Sequence, residues 1–225
     1  MTLPDAAGLA GIIDHTLLKA SATPADIEKL AAEALQHRFA SVCVNPCHAA
    51  LCARLLKNSP VKVCVVIGFP LGANTSAVKA EEARSAAADG ADELDMVINI
   101  GALRSGGDGL VQSDIEAVRR AVPGKILKVI IETAYLTDAE KTRACLLAKR
   151  AGADFVKTST GFAPSGATAA DIALMRAAVG PDMGVKASGG IKDAAFALAL
   201  VKAGATRLGT SSGAAIVSGR EGGAY

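Results

Sequence analysis

At 225 residues, 51% of them hydrophobic, the chain is long enough for one large α/β domain with a sizeable core. Aromatics are 3% and tryptophan is missing, so that core must be Ala, Val, Leu and Ile, which suits interleaved helices and buried parallel strands and argues against base-stacking platforms for single-stranded nucleic acid. A net charge of +2 with mixed signs demands no polyanionic partner, and no apolar run reaches membrane-spanning length.

Strand and helix patterns alternate from the first residues onward. Gly11 to Leu18 reads as a short strand with polar groups near its end. Thr23 is an expected N-cap, with Pro24 in the first turn and Asp26 at the positive helix end, and Ile27, Leu30, Ala31 and Ala34 share one face. Strands are then expected over Ser41–Asn45, Val61–Gly68, Glu93–Ile100, Ile126–Thr133, Asp154–Thr158, Met183–Ala187 and Thr206–Thr210. Helices are expected over His48–Lys57, Ala77–Ala88, Leu110–Ala121, Ala169–Val179 and Lys192–Ala203, with another opened by a capping box at Thr137–Glu140 and a last one starting near Gly213. Asp89-Gly90-Ala91-Asp92, Ala151-Gly152-Ala153-Asp154 and Ala203-Gly204-Ala205-Thr206 form a weak repeat, each closing a helix just before a strand. About eight strand–helix units in one domain spanning 1–225 predict a (β/α)8 TIM barrel, with a mobile tail from about 218. The alternative is a doubly wound open sheet, against which no GxGxxG follows the first strand.

Two lysines carry the chemistry. Lys157 lies in the apolar run Phe155-Val156-Lys157-Thr158-Ser159-Thr160-Gly161-Phe162, and Lys186 in Gly184-Val185-Lys186-Ala187-Ser188-Gly189-Gly190. A strand-end lysine usually snorkels to solvent, but two with the same flanking pattern point to one cavity. Burial and a neighbouring ammonium both lower a lysine pKa, which prepares an amine to form a Schiff base. A free lysine is only about 0.04% amine at pH 7, and a drop of about three units exposes roughly a thousandfold more. Asp95, between Leu94 and Met96, is costly among apolar neighbours unless paired, and Lys157 or Lys186 can pair with it as a proton shuttle. Lys128 is a further inward candidate, expected to contact the substrate.

Ser188-Gly189-Gly190 and Gly209-Thr210-Ser211-Ser212-Gly213 follow the last two expected strands, where barrels often bind phosphate; Gly189, Gly190, Gly209, Ser211 and Ser212 are the expected contacts. Asp14 is placed to orient a substrate hydroxyl, and Cys43, Asn45 and Thr158 to line the pocket, with Cys43 read as packing rather than nucleophile. His15 reads as a core histidine and His37 and His48 as helix-surface residues; with no HxH or HExxH, no metal and no cofactor are expected. Five cysteines without CxxC spacing, and an N-terminus without a basic segment, lead to an expectation of reduced thiols in a cytoplasm.

The segments Glu93–Asn99, Leu127–Thr133, the Lys157 stretch, the Lys186 stretch with its Gly-Gly, and Arg207–Ser212 together resemble the class I deoxyribose-phosphate aldolases of bacterial type, over nearly the whole chain. The resemblance implies reversible cleavage of 2-deoxy-D-ribose 5-phosphate to D-glyceraldehyde 3-phosphate and acetaldehyde. Lys157 would form the Schiff base, Lys186 would hold its pKa down, and Asp95 would donate and accept the proton with a bound water. Tyr225, closing the sequence, matches a tail tyrosine that assists proton transfer in members of the family. One position departs: some relatives carry a lysine near the phosphate where this chain has Phe162, so either the phosphate preference weakens or other groups compensate. Ala187-Ser188, where some relatives have Pro-Ala, is a minor variation. The implied partners are sugar phosphates, aldehydes and copies of the chain itself, with no nucleic acid and no membrane. Rival readings are a Schiff-base aldolase for a ketose phosphate and a non-catalytic sugar-phosphate-binding barrel whose lysines only bind anions; a metal-dependent isomerase lacks its ligand cluster.

Overall fold

The computed structural model describes residues Ala6–Gly223. After a short helix α1 (Ala6–Ala10), eight strands follow: β1 (Ile13–Leu17), β2 (Ser41–Val44), β3 (Lys62–Ile67), β4 (Glu93–Val97), β5 (Ile126–Ile130), β6 (Phe155–Lys157), β7 (Gly184–Ser188) and β8 (Arg207–Thr210). Every neighbouring pair is parallel and β1 closes on β8, so the sheet is the expected closed eight-stranded barrel. Between the strands run α2 (Pro24–His37), α3 (Ala49–Leu55), α4 (Ser76–Ala88), α5 (Ile100–Arg104), α6 (Asp108–Ala121), α7 (Asp138–Arg150), α8 (Ala169–Val179) and α9 (Ala194–Lys202); α10 (Gly213–Val217) follows β8.

The helices start where short polar side chains can satisfy their first N–H groups. Thr23 with Asp26 and Thr137 with Glu140 form complete capping boxes, and Thr75, Thr168 and Asp193 accept from the third residue of their own helices. Ile27, Leu30, Ala31 and Ala34 are all buried against the barrel, as their spacing predicts. At the three repeated helix–strand links, Gly90, Gly152 and Gly204 take φ of +101°, +79° and +118°, a backbone setting that side-chain-bearing residues rarely adopt. The main apolar core is the layer between strands and helices, while a small cluster of Leu18, Cys43, Cys64 and Val66 sits apart from it.

Two strands are shorter than the apolar runs that announce them. The run Glu93–Ile100 stops pairing at Val97, because Asn99 turns to cap α5 and accepts from the Ala102 N–H at 3.0 Å. The run Ile126–Thr133 stops at Ile130, because Glu132 adopts a left-handed conformation at φ +56° and leads into a 3-10 turn over Thr133–Tyr135. Among the described residues no helix is long and apolar enough to cross a membrane.

One buried ion pair holds the outer layer. Lys79 of α4, fully buried, donates to Asp114 of α6 at 2.6 Å and to the Val97 carbonyl at the end of β4 at 2.9 Å. Removing one partner strands the other charge out of water at a cost of about 3–5 kcal/mol. At roughly 2–4 °C per kcal/mol for a chain of this size, Lys79→Met should lower the melting temperature by about 6–20 °C in a calorimetric scan. Lys79→Met/Asp114→Leu should recover much of that loss; a single variant melting with the parent would show that the pair does not clamp the two helices.

Candidate active site

Barrel interiors are ordinarily filled by layers of Val, Ile and Leu. Here six of the eight strands send charge inward instead, and β2 and β3 add Ser41, Cys43 and Cys64. Asp95 of β4 sits at the centre, completely buried. Its Oδ2 accepts from Lys157 at 2.7 Å and from Lys186 at 2.7 Å, and its Oδ1 accepts from Lys128 at 2.8 Å and from the Cys64 thiol at 3.1 Å. Lys128 also meets Glu93 at 2.6 Å, and Lys186 pairs with Asp14. Arg207 of β8 reaches Asp14 Oδ1 at 2.7 Å and Glu93 Oε2 at 3.1 Å, and Ser41 donates to the same Asp14 oxygen at 2.7 Å. The eight strands thus converge on one continuous hydrogen-bonded cluster.

Burial alone would push these carboxyls up and these ammoniums down. Against that, Lys128, Lys157 and Lys186 hold the Asp95 carboxyl well below the usual carboxylate range. Lys186, Lys128 and Arg207 hold Asp14 low in the same way. Burial opposes the charge on Lys186, yet Asp14 and Asp95 hold its ammonium well above the ordinary lysine value. Lys128 is raised likewise, against burial, by Asp95 and its other acidic neighbours. Lys186 thus meets Lys157 as an acid-paired ammonium: both amines lie 2.7 Å from the same Asp95 Oδ2, and Lys186 also pairs with Asp14. Cys43, Cys64 and Asp95 offer donor atoms within 4.8 Å of one another, a spacing that a cation can bridge, but the Lys128 and Lys186 ammoniums already on Asp95 oppose a further positive charge there.

Lys157 is the last residue of β6, and it lines a cavity at the C-terminal end of the barrel. Gly189, Gly190, Gly209, Ser211 and Ser212 line the same cavity, so both expected anion loops and the reactive amine share one space. The loops are tied together by Thr210, whose hydroxyl donates to the Ile191 carbonyl at 2.6 Å and accepts from the Ser212 N–H at 2.9 Å. A Cβ on Gly209 would lie 2.3 Å from the Ser188 hydroxyl and 3.0 Å from Lys186 Cε, so glycine there keeps room for both. The Ser188 hydroxyl is buried and has no hydrogen-bond partner among the described residues, although Ser188 lines the cavity.

With this geometry in hand, the sequence matches the profile of the DeoC/LacD family aldolases over residues 9–221. The chain belongs to that family. It is therefore a lyase of the aldolase type. It is 61% identical over 213 residues to the deoxyribose-phosphate aldolase of Geobacillus sp. (strain WCH70), covering 94% of this chain and 96% of that one. It is 62% identical over 212 residues to deoxyribose-phosphate aldolase 1 of Bacillus licheniformis, covering 94% and 95%. Its fold superposes on the tetrameric deoxyribose phosphate aldolase of Aeropyrum pernix with a TM-score of 0.89 at 36% identity, over 95% of this chain and 91% of that one.

Several expected substrate contacts of this aldolase do not line the cavity. Asp14 is the second residue of β1, lies beneath it and spends its oxygens on Lys186, Arg207 and Ser41 rather than on a substrate hydroxyl. Lys128 and Cys43 are buried below Lys157, with Lys128 fully engaged by acids and Cys43 Sγ 4.0 Å from Asp95. Asn45 donates to the Leu18 carbonyl instead of facing the pocket. Thr158 follows the strand alternation to the opposite face, where its hydroxyl donates to the Ser188 carbonyl and accepts from the Ser188 N–H. Tyr225 lies outside the described residues. The described part of the tail is docked, with the Gly222 N–H on the Lys192 carbonyl at 2.8 Å and Gly223 lining the cavity.

Sequence reasoning also missed contributors. Thr16, Leu18, Thr160 and Lys192 line the cavity, and Glu132 accepts from both the N–H and the hydroxyl of Thr160. Burial pushes the Glu132 carboxyl up. An acid directly after the apolar run Val129–Ile131 was the available signal for it. Phe162 lines the cavity half exposed, with its ring edge-on to Phe69 at 5.3 Å.

Proposed function

We propose that the protein reversibly cleaves 2-deoxy-D-ribose 5-phosphate to D-glyceraldehyde 3-phosphate and acetaldehyde through a Schiff base on Lys157. The observation that carries this reading is that one lysine faces the cavity while a second lysine and Asp95 meet it at a single oxygen. The open-chain aldehyde carbon accepts the Lys157 amine, and loss of water gives an iminium. The C3 hydroxyl loses its proton, the C2–C3 electron pair flows into the iminium, and glyceraldehyde 3-phosphate departs. The acetaldehyde enamine left on Lys157 takes a proton at C2, and hydrolysis frees the amine. Asp95, ionised and shared with the Lys186 ammonium, is the point at which protons are handed over. The Ser188–Gly190 and Gly209–Ser212 loops take the phosphate with N–H and hydroxyl groups, and Lys192 supplies the positive charge where Phe162 replaces a lysine of some relatives.

Turnover of 2-deoxyribose 5-phosphate in a coupled assay for glyceraldehyde 3-phosphate tests the reaction; cleavage of a ketose phosphate in its place would overturn it. The phosphate assignment has its own prediction. Gly190 has φ +77° and open space at its Cβ direction, so an aspartate there meets no clash and bears only the cost of a left-handed backbone, which Asp adopts more readily than most residues. Gly190→Asp places a negative charge beside the phosphate and should raise its KM about tenfold or more, while KM for unphosphorylated 2-deoxyribose stays near the parent value. An equal effect on both sugars would contradict it. A homo-oligomer is proposed in line with the tetrameric relative, and light scattering on the purified chain tests it.

A further inference from the structure

The ion-pair cluster contains three buried carboxylates, Asp14, Glu93 and Asp95, three buried lysines, Lys128, Lys157 and Lys186, and the partly buried Arg207, together with the buried Cys43 and Cys64 thiols. With the thiols protonated these groups carry one positive charge in excess at a site largely shielded from water, and release of one proton balances it. The contacts differ by lysine. Lys128 meets Asp95, Glu93 and Asp14, and Lys186 meets Asp14 and Asp95. Arg207 meets Asp14 and Glu93 and does not give up its proton. Lys157 meets a single carboxylate oxygen, already shared with Lys186, and it alone of the four lines the cavity.

We infer that Glu93 and Arg207, which open β4 and β8 and do not line the cavity, are positioning residues that set the charge count of the cluster and so make Lys157 the amine that is free to react. The inference rests on Lys157 being the Schiff-base lysine. Coupled groups titrate as a unit, so a change of charge at the far end of the network moves the proton balance at Lys157 without touching it. Every strand contributes a group to that balance: Asp14, Cys43, Cys64, the Glu93 and Asp95 pair, Lys128, Lys157, Lys186 and Arg207 in chain order. The buried carboxyl of Glu132, just past β5, also acts on Lys157 from outside this hydrogen-bonded cluster, held on Thr160 and pushed up by burial, and it is the same in every variant below.

The sign of each substitution follows from counting. Arg207→Met leaves three acids and three bases, so no proton need leave, and the acidic limb of kcat/KM for 2-deoxyribose 5-phosphate cleavage should move up by about one pH unit or more. Glu93→Gln leaves two acids and four bases, and the limb should move down by a similar amount. Glu93→Gln/Arg207→Met restores one excess positive charge, and its limb should return close to the parent position. Arg207→Lys keeps the charge and should also leave the limb in place, which separates charge from packing if Arg207→Met folds poorly. Limbs that stay fixed in both single variants, or that move in the same direction, overturn the inference. A parent enzyme that does not cleave this sugar phosphate overturns instead the reading of function on which it rests.

Discussion

Lys157→Ala should abolish sugar-phosphate cleavage, with a fall in kcat of at least about 10⁴-fold, because it removes the nucleophile and leaves only binding and positioning. The loss should appear in kcat and not in folding. Lys157 touches one acidic partner and faces the cavity, and in the alanine variant Asp95 keeps Lys128 and Lys186. Circular dichroism and the melting temperature should stay within a few degrees of the parent. Lys186→Ala should also inactivate, but it strips Asp14 and Asp95 of a shared cation and should be markedly less stable. Activity within tenfold of the parent after Lys157→Ala would show that the cavity lysine only binds anions.

The second large effect is expected at Asp95. Asp95→Asn removes the charge on which three buried lysine nitrogens converge, at 2.7–2.8 Å, and replaces half of its acceptor capacity with a donor aimed at other donors. An uncompensated buried charge costs about 3–5 kcal/mol, and here several lose a partner at once, so the melting temperature should fall by at least about 6 °C. The variant should also lose its acid dependence at this position. Asp95 is held below the ordinary carboxylate range when folded, so its stabilisation is complete above its unfolded-state value near 4 and is lost as pH falls through the lower folded value. The slope of stability against pH below 4 should therefore flatten in Asp95→Asn. A variant as stable as the parent, with an unchanged slope, would contradict the central place given to this carboxylate.

The fold was legible in the sequence because its signals are local and repeat. Alternation of apolar runs with capped helices, three of them closed by a Gly-Ala link, counts out eight units without reference to contacts between distant residues. Strand ends were read less well, since Asn99 and Glu132 continue or follow apolar runs and leave the sheet only because their side chains find backbone partners there. The cavity lysine, its partner lysine and Asp95 were legible because charges inside apolar runs have no bland explanation. Asp14 and Lys128 announced themselves in the same way but were assigned to substrate, since depth along a barrel strand is set by register with neighbours, and one strand read alone does not carry it. Thr158 failed for the simplest reason: it adjoins Lys157, and adjacent residues on a strand face opposite sides. The mediation of Asp95 between Lys157 and Lys186 needed all three strands in place.

Incubation with acetaldehyde and sodium borohydride, followed by digestion and mass spectrometry, tests the mechanism most directly. The account predicts one reduced ethyl adduct, on Lys157, absent without acetaldehyde and absent in Lys157→Ala. An adduct confined to Lys186 or to surface lysines, or no adduct in an enzyme that turns over substrate, would contradict it.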